Sequence, residues 1–365
     1  MKCCVECFRD LEVRDRISSL QTVGNCDICP NHRGVAVMEL NDDSLSSTNL
    51  RYEFEALASI YSVSKVGQRG LPLAERLRTD FGIFSDDVSA AGVNQILAVI
   101  LSEYLKTTGL GLNRPLAFGK EHDELFLATS SITHGLTWTD FDQSIKFKSR
   151  FHTNIINDEL LGDILQPTLR TIPKNSVFYR ARIVNHNAKP TFTRKDIMTP
   201  PAKMVGAGRF NPAGIGFLYL GSDLNTNFAE IKAALANEVI YAKFTLKRAI
   251  NVFDLSRIAH ISPFSQVDDA TLLVNRPVLA EIDESLRGRS RPIRSEVDYL
   301  SSEYISEVAR TTPIGQGTAD GIIYNSTIHS EAENLVLFDE SSVRLTGQVW
   351  KATITDIQLQ HADVG

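Results

Sequence analysis

Gly206-Ala-Gly-Arg-Phe-Asn-Pro-Ala-Gly-Ile-Gly-Phe-Leu-Tyr-Leu-Gly221 decides how the rest of the chain is read. Its glycines remove Cβ atoms where backbone turns tightly or approaches a ligand. Arg209 sits among them, a planar five-donor fork suited to phosphate or carboxylate. Phe217-Leu-Tyr-Leu220 reads as a short buried strand. Ser222 or Asp223 then caps a helix expected to carry Phe228, Ala229, Ile231 and Leu235, with Glu230 in its first half. A loop arginine, a core strand and a helix glutamate suit an anion-and-sugar site; an ordinary surface loop before a strand–helix unit is the competing reading.

Two further segments favour the site. Val177-Phe-Tyr-Arg-Ala-Arg-Ile-Val184 alternates like a strand, with Arg180 and Arg182 on one face. Asp320-Gly-Ile-Ile-Tyr-Asn-Ser-Thr-Ile328 reads as a turn, a strand and an exposed serine, and Glu333-Asn-Leu-Val-Leu-Phe338 as another strand. In this order, Tyr179-Arg180, the GRFNPAG loop with LYLGSD, Ala229-Glu230, GIIYNST and ENLVLF resemble the RES family, over roughly residues 170–350. That resemblance implies an ADP-ribosyltransferase-like fold that consumes NAD, often as the toxin of a toxin–antitoxin pair. It marks Arg180, Glu230 and Ser326 as the naming triad and adds Arg209, with Tyr219 at the base pocket and Asn334 pinning the serine loop.

The chemistry asked of these residues is modest. Positive charge grows on the ribose as neutral nicotinamide leaves, as at a glycosidic centre. Arg180 and Arg209 suit the pyrophosphate, since arginine binds phosphate bidentately and stays charged. Glu230 accepts from a ribose hydroxyl and steadies the cation. Ser326 donates to phosphate or orients the acceptor. Arg182 stays open as an alternative clamp, and Glu331-x-Glu333 as an alternative catalytic pair. A dehydrogenase is disfavoured, because no glycine follows Gly206-x-Gly208 at the third fingerprint position.

All five cysteines lie in the first 29 residues. Cys4-x-x-Cys7 and Cys26-x-x-Cys29, 18 residues apart, fit a four-cysteine structural zinc site. His32 is a weaker alternative ligand. The segment 1–35 is too small to fold without the metal.

Residues 36–166 read as an α-helical domain, with helices expected over Leu50–Val63, from Pro72 to about Phe84, after Ser89, and over Asn154–Leu165. In position and pattern this block resembles the HEPN-like domain that precedes RES in some proteins. Arg150 and His152 are two apart, which does not place them on one helical face as the HEPN ribonucleases require. Pro167 to Pro173 reads as a linker, and 167–365 as the RES-like domain. The expected fold is α+β, with a mixed β core following a helical domain and its zinc segment. Arg287 to Arg294 is a basic run, and Gln348–Leu359 a closing strand.

A net charge of −6 and 22% charged residues give no global signal for nucleic acid. No apolar run spans a bilayer, and Met1-Lys-Cys-Cys opens no secretory pattern, so the expected location is cytoplasmic. The expected function is an NAD-degrading enzyme, by hydrolysis or phosphorolysis, acting as a toxin or defence effector. An ADP-ribosyltransferase and a non-catalytic regulatory module are the alternatives. A protein inhibitor or antitoxin, and a homo-oligomer, stay open as partners.

Overall fold

The computed structural model describes residues 1–41, 44–65, 70–184, 192–287, 296–326 and 332–355. Two compact units emerge, Met1–Gly135 with His260–Pro277, and Leu136–Ala259 with Val278–Gly365.

The first unit opens with strands β1 (Lys2–Cys4), β2 (Val23–Gly24) and β3 (Val35–Glu39) in the order β1-β3-β2. Helices follow: α1 (Leu11–Ser19), α2 (Leu45–Ser59), α3 (Leu73–Phe81), α4 (Ala90–Ile100), α5 (Ser102–Thr108) and α6 (Glu124–Ser130). β4 (Tyr61–Val63) pairs with β5 (Leu116–Phe118), so the first expected helix stops at Ser59 and its last residues join a ladder instead. Gly82, at φ +66, ends α3 in the left-handed turn that glycine accepts without penalty, short of Phe84. Ser89 accepts from Gly92 N and caps α4. Residues 260–277 belong to this unit through Ser262 to Asp10, the Phe54–Phe264 ring pair, and Asn275, which bonds Ile132 N and Ser130 O.

The second unit is built on eight strands: β6 (Leu169–Ile172), β7 (Val177–Val184), β8 (Leu218–Gly221), β9 (Glu238–Leu246), β10 (Ile250–Asp254), then β13 (Gly321–Asn325), β14 (Glu333–Leu337) and β15 (Val343–Thr353) beyond the small hairpin β11–β12 (Pro313–Ile314, Gly317–Thr318). Their order is β15-β9-β7-β8-β14-β13-β10-β6. Only β10 and β13 run parallel; every other neighbouring pair is antiparallel. The expected linker is not one: Leu169–Ile172 pairs with Ile250–Phe253 as the edge strand of the sheet, because its backbone finds a partner strand about 80 residues away. β15 begins at Val343, earlier than expected, and 356–359 lie outside the described residues.

Helices α7 (Trp138–Phe147) and α8 (Asp158–Leu165) belong to this second unit. Both meet α12 (Leu300–Thr311), through Ser301 to Asp142 at 2.6 Å and Tyr304 to Asp158 at 2.6 Å. Short α9 (Arg194–Ile197) and α10 (Leu224–Glu230) flank β7 and β8. α11 (Asp269–Arg287) contributes its first half to one unit and its second half to the other. The core under the sheet is Phe178, Leu218, Leu220, Ile240, Phe244, Val252, Ile323 and Leu335 with their neighbours.

Gly321 starts β13 with its bare Cα against the neighbouring strand; a Cβ there would lie 2.1 Å from the backbone oxygen of Val336. Backbone cannot rotate aside as a side chain can. Gly321→Ala is therefore expected to cost at least about 1–3 kcal/mol, the usual range for overpacking. Denaturant unfolding checks it, and a midpoint matching the parent would show that the two strands separate without cost.

Candidate active site and metal centre

The largest feature of the sheet is a fault in it. β7 pairs with β9 along its whole length, but with β8 at one position only, Tyr179 with Gly221. From there β7 and β8 diverge, and a cavity of about 800 Å³ opens between them. Where a ladder opens, its backbone groups must find other partners. One does: Arg180 Nη1 reaches the Tyr219 carbonyl at 3.5 Å.

Residues 180–184 of β7 all line this cavity, and by the period of two Arg180, Arg182 and Val184 share one face of the strand. Arg180 is only 8% exposed. Burial, and then the charge of Arg182, pull its guanidinium down to about 9. Arg182 is lowered too, by burial, and its Nη1 donates to the Asp196 carbonyl at 2.7 Å. Asp196 itself caps α9, its carboxylate accepting from Thr193 N and Oγ1.

Glu230 enters from α10. Asp223, not Ser222, caps that helix, accepting from Thr226 N at 2.8 Å. The helix is shorter than the sequence pattern implies and ends at Glu230. Lys232 at φ +52 and Ala236 at φ +67 turn the chain out of the helix, and Leu235 is exposed. Glu230 is thus a last-turn residue. Its Oε1 accepts from Ser326 Oγ at 2.7 Å and from Asn334 Nδ2 at 3.0 Å. Asn227, one turn earlier, lines the same cavity. Gly221 permits this approach, since a Cβ on it would lie 2.4 Å from Asn227 Nδ2 and 3.4 Å from Asn334 Oδ1.

Arg180, Tyr219, Glu230 and Asn334 therefore share one cavity, with Ser326 bonded to Glu230 from behind. Arg209 is not among the residues lining it. Its guanidinium lies 5.5 Å from the Tyr324 ring centroid and donates to Leu286 O at 3.3 Å. Glu333 is spent elsewhere: it alternates with Asn334 along β14 and pairs with Arg170 at 2.5 Å, which also lies 3.6 Å from Asp254. Glu331 and the basic residues 288–294 lie outside the described residues. Phe192, Met204 and Asn227 are cavity residues that sequence pattern did not single out, and Ile231, expected only as an apolar helix residue, lines the cavity too. Only Asn227 carried a signal, three residues before Glu230 on one helical face.

The glycine-rich loop is held from two sides. Tyr219 Oη donates to Asn211 Oδ1 at 2.8 Å and accepts from Phe210 N at 3.1 Å. Asn211 Nδ2 closes the loop on Gly206 O at 3.0 Å. From α12, Ser302 and Ser306 donate to the carbonyls of Arg209 and Phe210. Burial pushes the Tyr219 hydroxyl up, so it remains a neutral donor.

In the first unit, the sulfurs of Cys4, Cys7, Cys26 and Cys29 lie within 4.8 Å of one another. Cys7 is 3.8, 3.5 and 3.6 Å from the other three. A tetrahedral ion with sulfurs at about 2.3 Å would hold them about 3.8 Å apart, so the set fits a metal ion. Burial pushes the Cys4 thiol up and the Cys29 thiol up to about 12, while backbone N–H donors outweigh burial and lower Cys26; a cation would favour the thiolate form of all four. His32 Nδ1 lies 3.3 Å from Cys4 Sγ, a neighbour of the cluster; Cys3, though buried, is not one of the four.

A family model described as the RES domain matches residues 177–355. A RES domain thus occupies just under half of the chain, and it contains seven of the eight strands and the cavity; β6 lies before it. No curated protein and no solved structure matches the chain. Among the described residues, no helix is long and apolar enough to cross a membrane.

Tyr219→Phe tests the loop brace. It removes one donor and leaves Asn211 Oδ1 short of a partner, at an expected cost of about 1–3 kcal/mol. Thermal unfolding should show the loss, with limited proteolysis falling first in the glycine-rich loop. Unchanged stability would mean that the serines of α12 hold the loop unaided.

Proposed function

We propose that the RES domain binds NAD in the split-sheet cavity and cleaves its nicotinamide–ribose bond. The observation that carries this reading is the composition of one cavity: a buried and a half-buried arginine on one wall, and a carboxylate anchored through one oxygen on the other. The arginines suit the pyrophosphate. Oε1 of Glu230 is taken by Ser326 and Asn334, which leaves Oε2 as the oxygen for a ribose hydroxyl. The C–N bond breaks with its electron pair leaving on nicotinamide, and the growing ribosyl cation is steadied by the fixed carboxylate. Water, losing a proton, or phosphate then takes the ribosyl group. The family's link to NAD-related toxin activity supports this reading, as does the sheet, which suits an ADP-ribosyltransferase-like core.

In this reading Arg180 clamps the diphosphate, Tyr219 braces the wall, and Arg209 acts through its loop or meets ligand only after moving off Tyr324. The chain then acts as a toxin or defence effector, held in check by an inhibitor protein. The helices before residue 167 form the HEPN-like partner region. Cys4, Cys7, Cys26 and Cys29 hold a structural zinc ion, which supplies folding free energy to a segment with little core of its own.

Incubation of the purified protein with NAD, with and without phosphate, identifies the products. Free nicotinamide with ADP-ribose means hydrolysis; a phosphorylated ADP-ribose means phosphorolysis; label transferred to a macromolecule means ADP-ribosyltransfer. Glu230→Gln is expected to keep NAD affinity while losing roughly 10²–10³ in turnover. Parental turnover in that variant would remove Glu230 from the chemistry.

Elemental analysis of protein purified without added metal should find about one zinc per chain under the single-site reading. Cys26→Ser should release it and unfold the first 40 residues. A folded, metal-free parent would sink the zinc assignment.

A further inference from the structure

We infer that Arg182 is the second half of a two-arginine clamp that selects a diphosphate over a monophosphate ligand. The inference rests on the NAD reading of the cavity and deepens it. Arg180 and Arg182 stand on one face of β7, about 7 Å apart along the strand at about 3.4 Å per residue. Both side chains line the cavity. Among the described residues, neither lies within ion-pair distance of a carboxylate. This separates them from Arg16, Arg170, Arg248 and Arg287, each matched to an acid at 3.1 Å or less.

A guanidinium has five donors. Arg180 commits one, to Tyr219 O, and Arg182 commits one, to Asp196 O. Both of those acceptors are backbone oxygens with no full charge. Arg180 is buried and Arg182 half-buried, with Glu340 and Asp196 acting on them only from beyond ion-pair distance; two cations held side by side in this way are costly, and a ligand that supplies the charge offsets that cost. One phosphate group satisfies one fork. Two forks at this spacing match two linked phosphoryl groups, one on each arginine.

The competing account makes Arg182 a brace: its bond to Asp196 O ties β7 to α9. The two accounts differ in what a ligand series reads. A brace, when lost, weakens every ligand alike. A second fork, when lost, weakens diphosphates and spares monophosphates.

The test measures ADP, AMP, pyrophosphate and phosphate binding by calorimetry on the full chain, for the parent, Arg182→Gln and Arg182→Lys. The parent is expected to prefer ADP to AMP by roughly tenfold or more, the usual worth of one charge-assisted contact. Arg182→Gln keeps a donor for Asp196 O but removes the charge. It should erase most of that preference, leave AMP within about threefold of the parent, and act in the same sense on pyrophosphate against phosphate. Arg182→Lys should restore part of it. Equal weakening of ADP and AMP, or an unchanged ratio, overturns the inference and leaves the brace. The outcome is independent of turnover. A lost ADP preference in a protein that never consumes NAD would sink the proposed reaction and keep the clamp; NAD consumption with an unchanged ratio would do the reverse.

Discussion

The second unit depends on a sheet that stops pairing. β7 and β8 meet at Tyr179 and Gly221 and then part, although both remain fully paired on their outer sides, to β9 and β14. A continuous ladder here would close the cavity and bury Arg180 with nothing to bind. The open ladder sets guanidinium donors on one side against Glu230, Asn227 and Asn334 on the other, above the apolar core of the sheet. The cavity is thus a consequence of incomplete secondary structure, with complete pairing on either side.

That arrangement places heavy demands on the surroundings. Burial first, and then the neighbouring charge of Arg182, hold the Arg180 guanidinium below its usual range. The loop opposite must hold its shape without regular structure. It does so by donating almost no degrees of freedom to solvent: Asn211, Tyr219, Ser302 and Ser306 take up its polar groups one by one. The glycine-rich motif is thereby a packed substructure more than a flexible cradle, and Arg209 at its tip rests on Tyr324.

Much of the site was legible as residue types and little of it as geometry. Arg180, Glu230, Ser326 and Asn334 stood out through the resemblance to the RES family, whereas strand alternation alone left Arg182 open beside Arg180. The cysteine pairs were legible because ligand spacing is a local property. What stayed hidden was non-local. Leu169–Ile172 became a strand only because Ile250–Phe253 offered it an edge. The end of α10 at Glu230 was set by left-handed turns at Lys232 and Ala236, residues with no intrinsic preference for them. That Glu333 and Asn334 face opposite ways follows from alternation, but which of the two meets the cavity depended on the register with Tyr324 and Gly221.

The position of Glu230 at the end of α10 carries one more consequence. The carbonyl end of a helix bears a partial negative charge, so an acidic side chain there is unfavourable, by about 0.3–1 kcal/mol at exposed sites. Ser326 and Asn334 offset that cost by donating to the same oxygen. The helix terminus and the carboxylate then add rather than cancel, and together they make the negative pole of a cavity whose other wall is cationic. The protein gives up local stability to set an electric field across the cavity, directed so that positive charge appearing near α10 is welcomed and negative charge is driven toward β7.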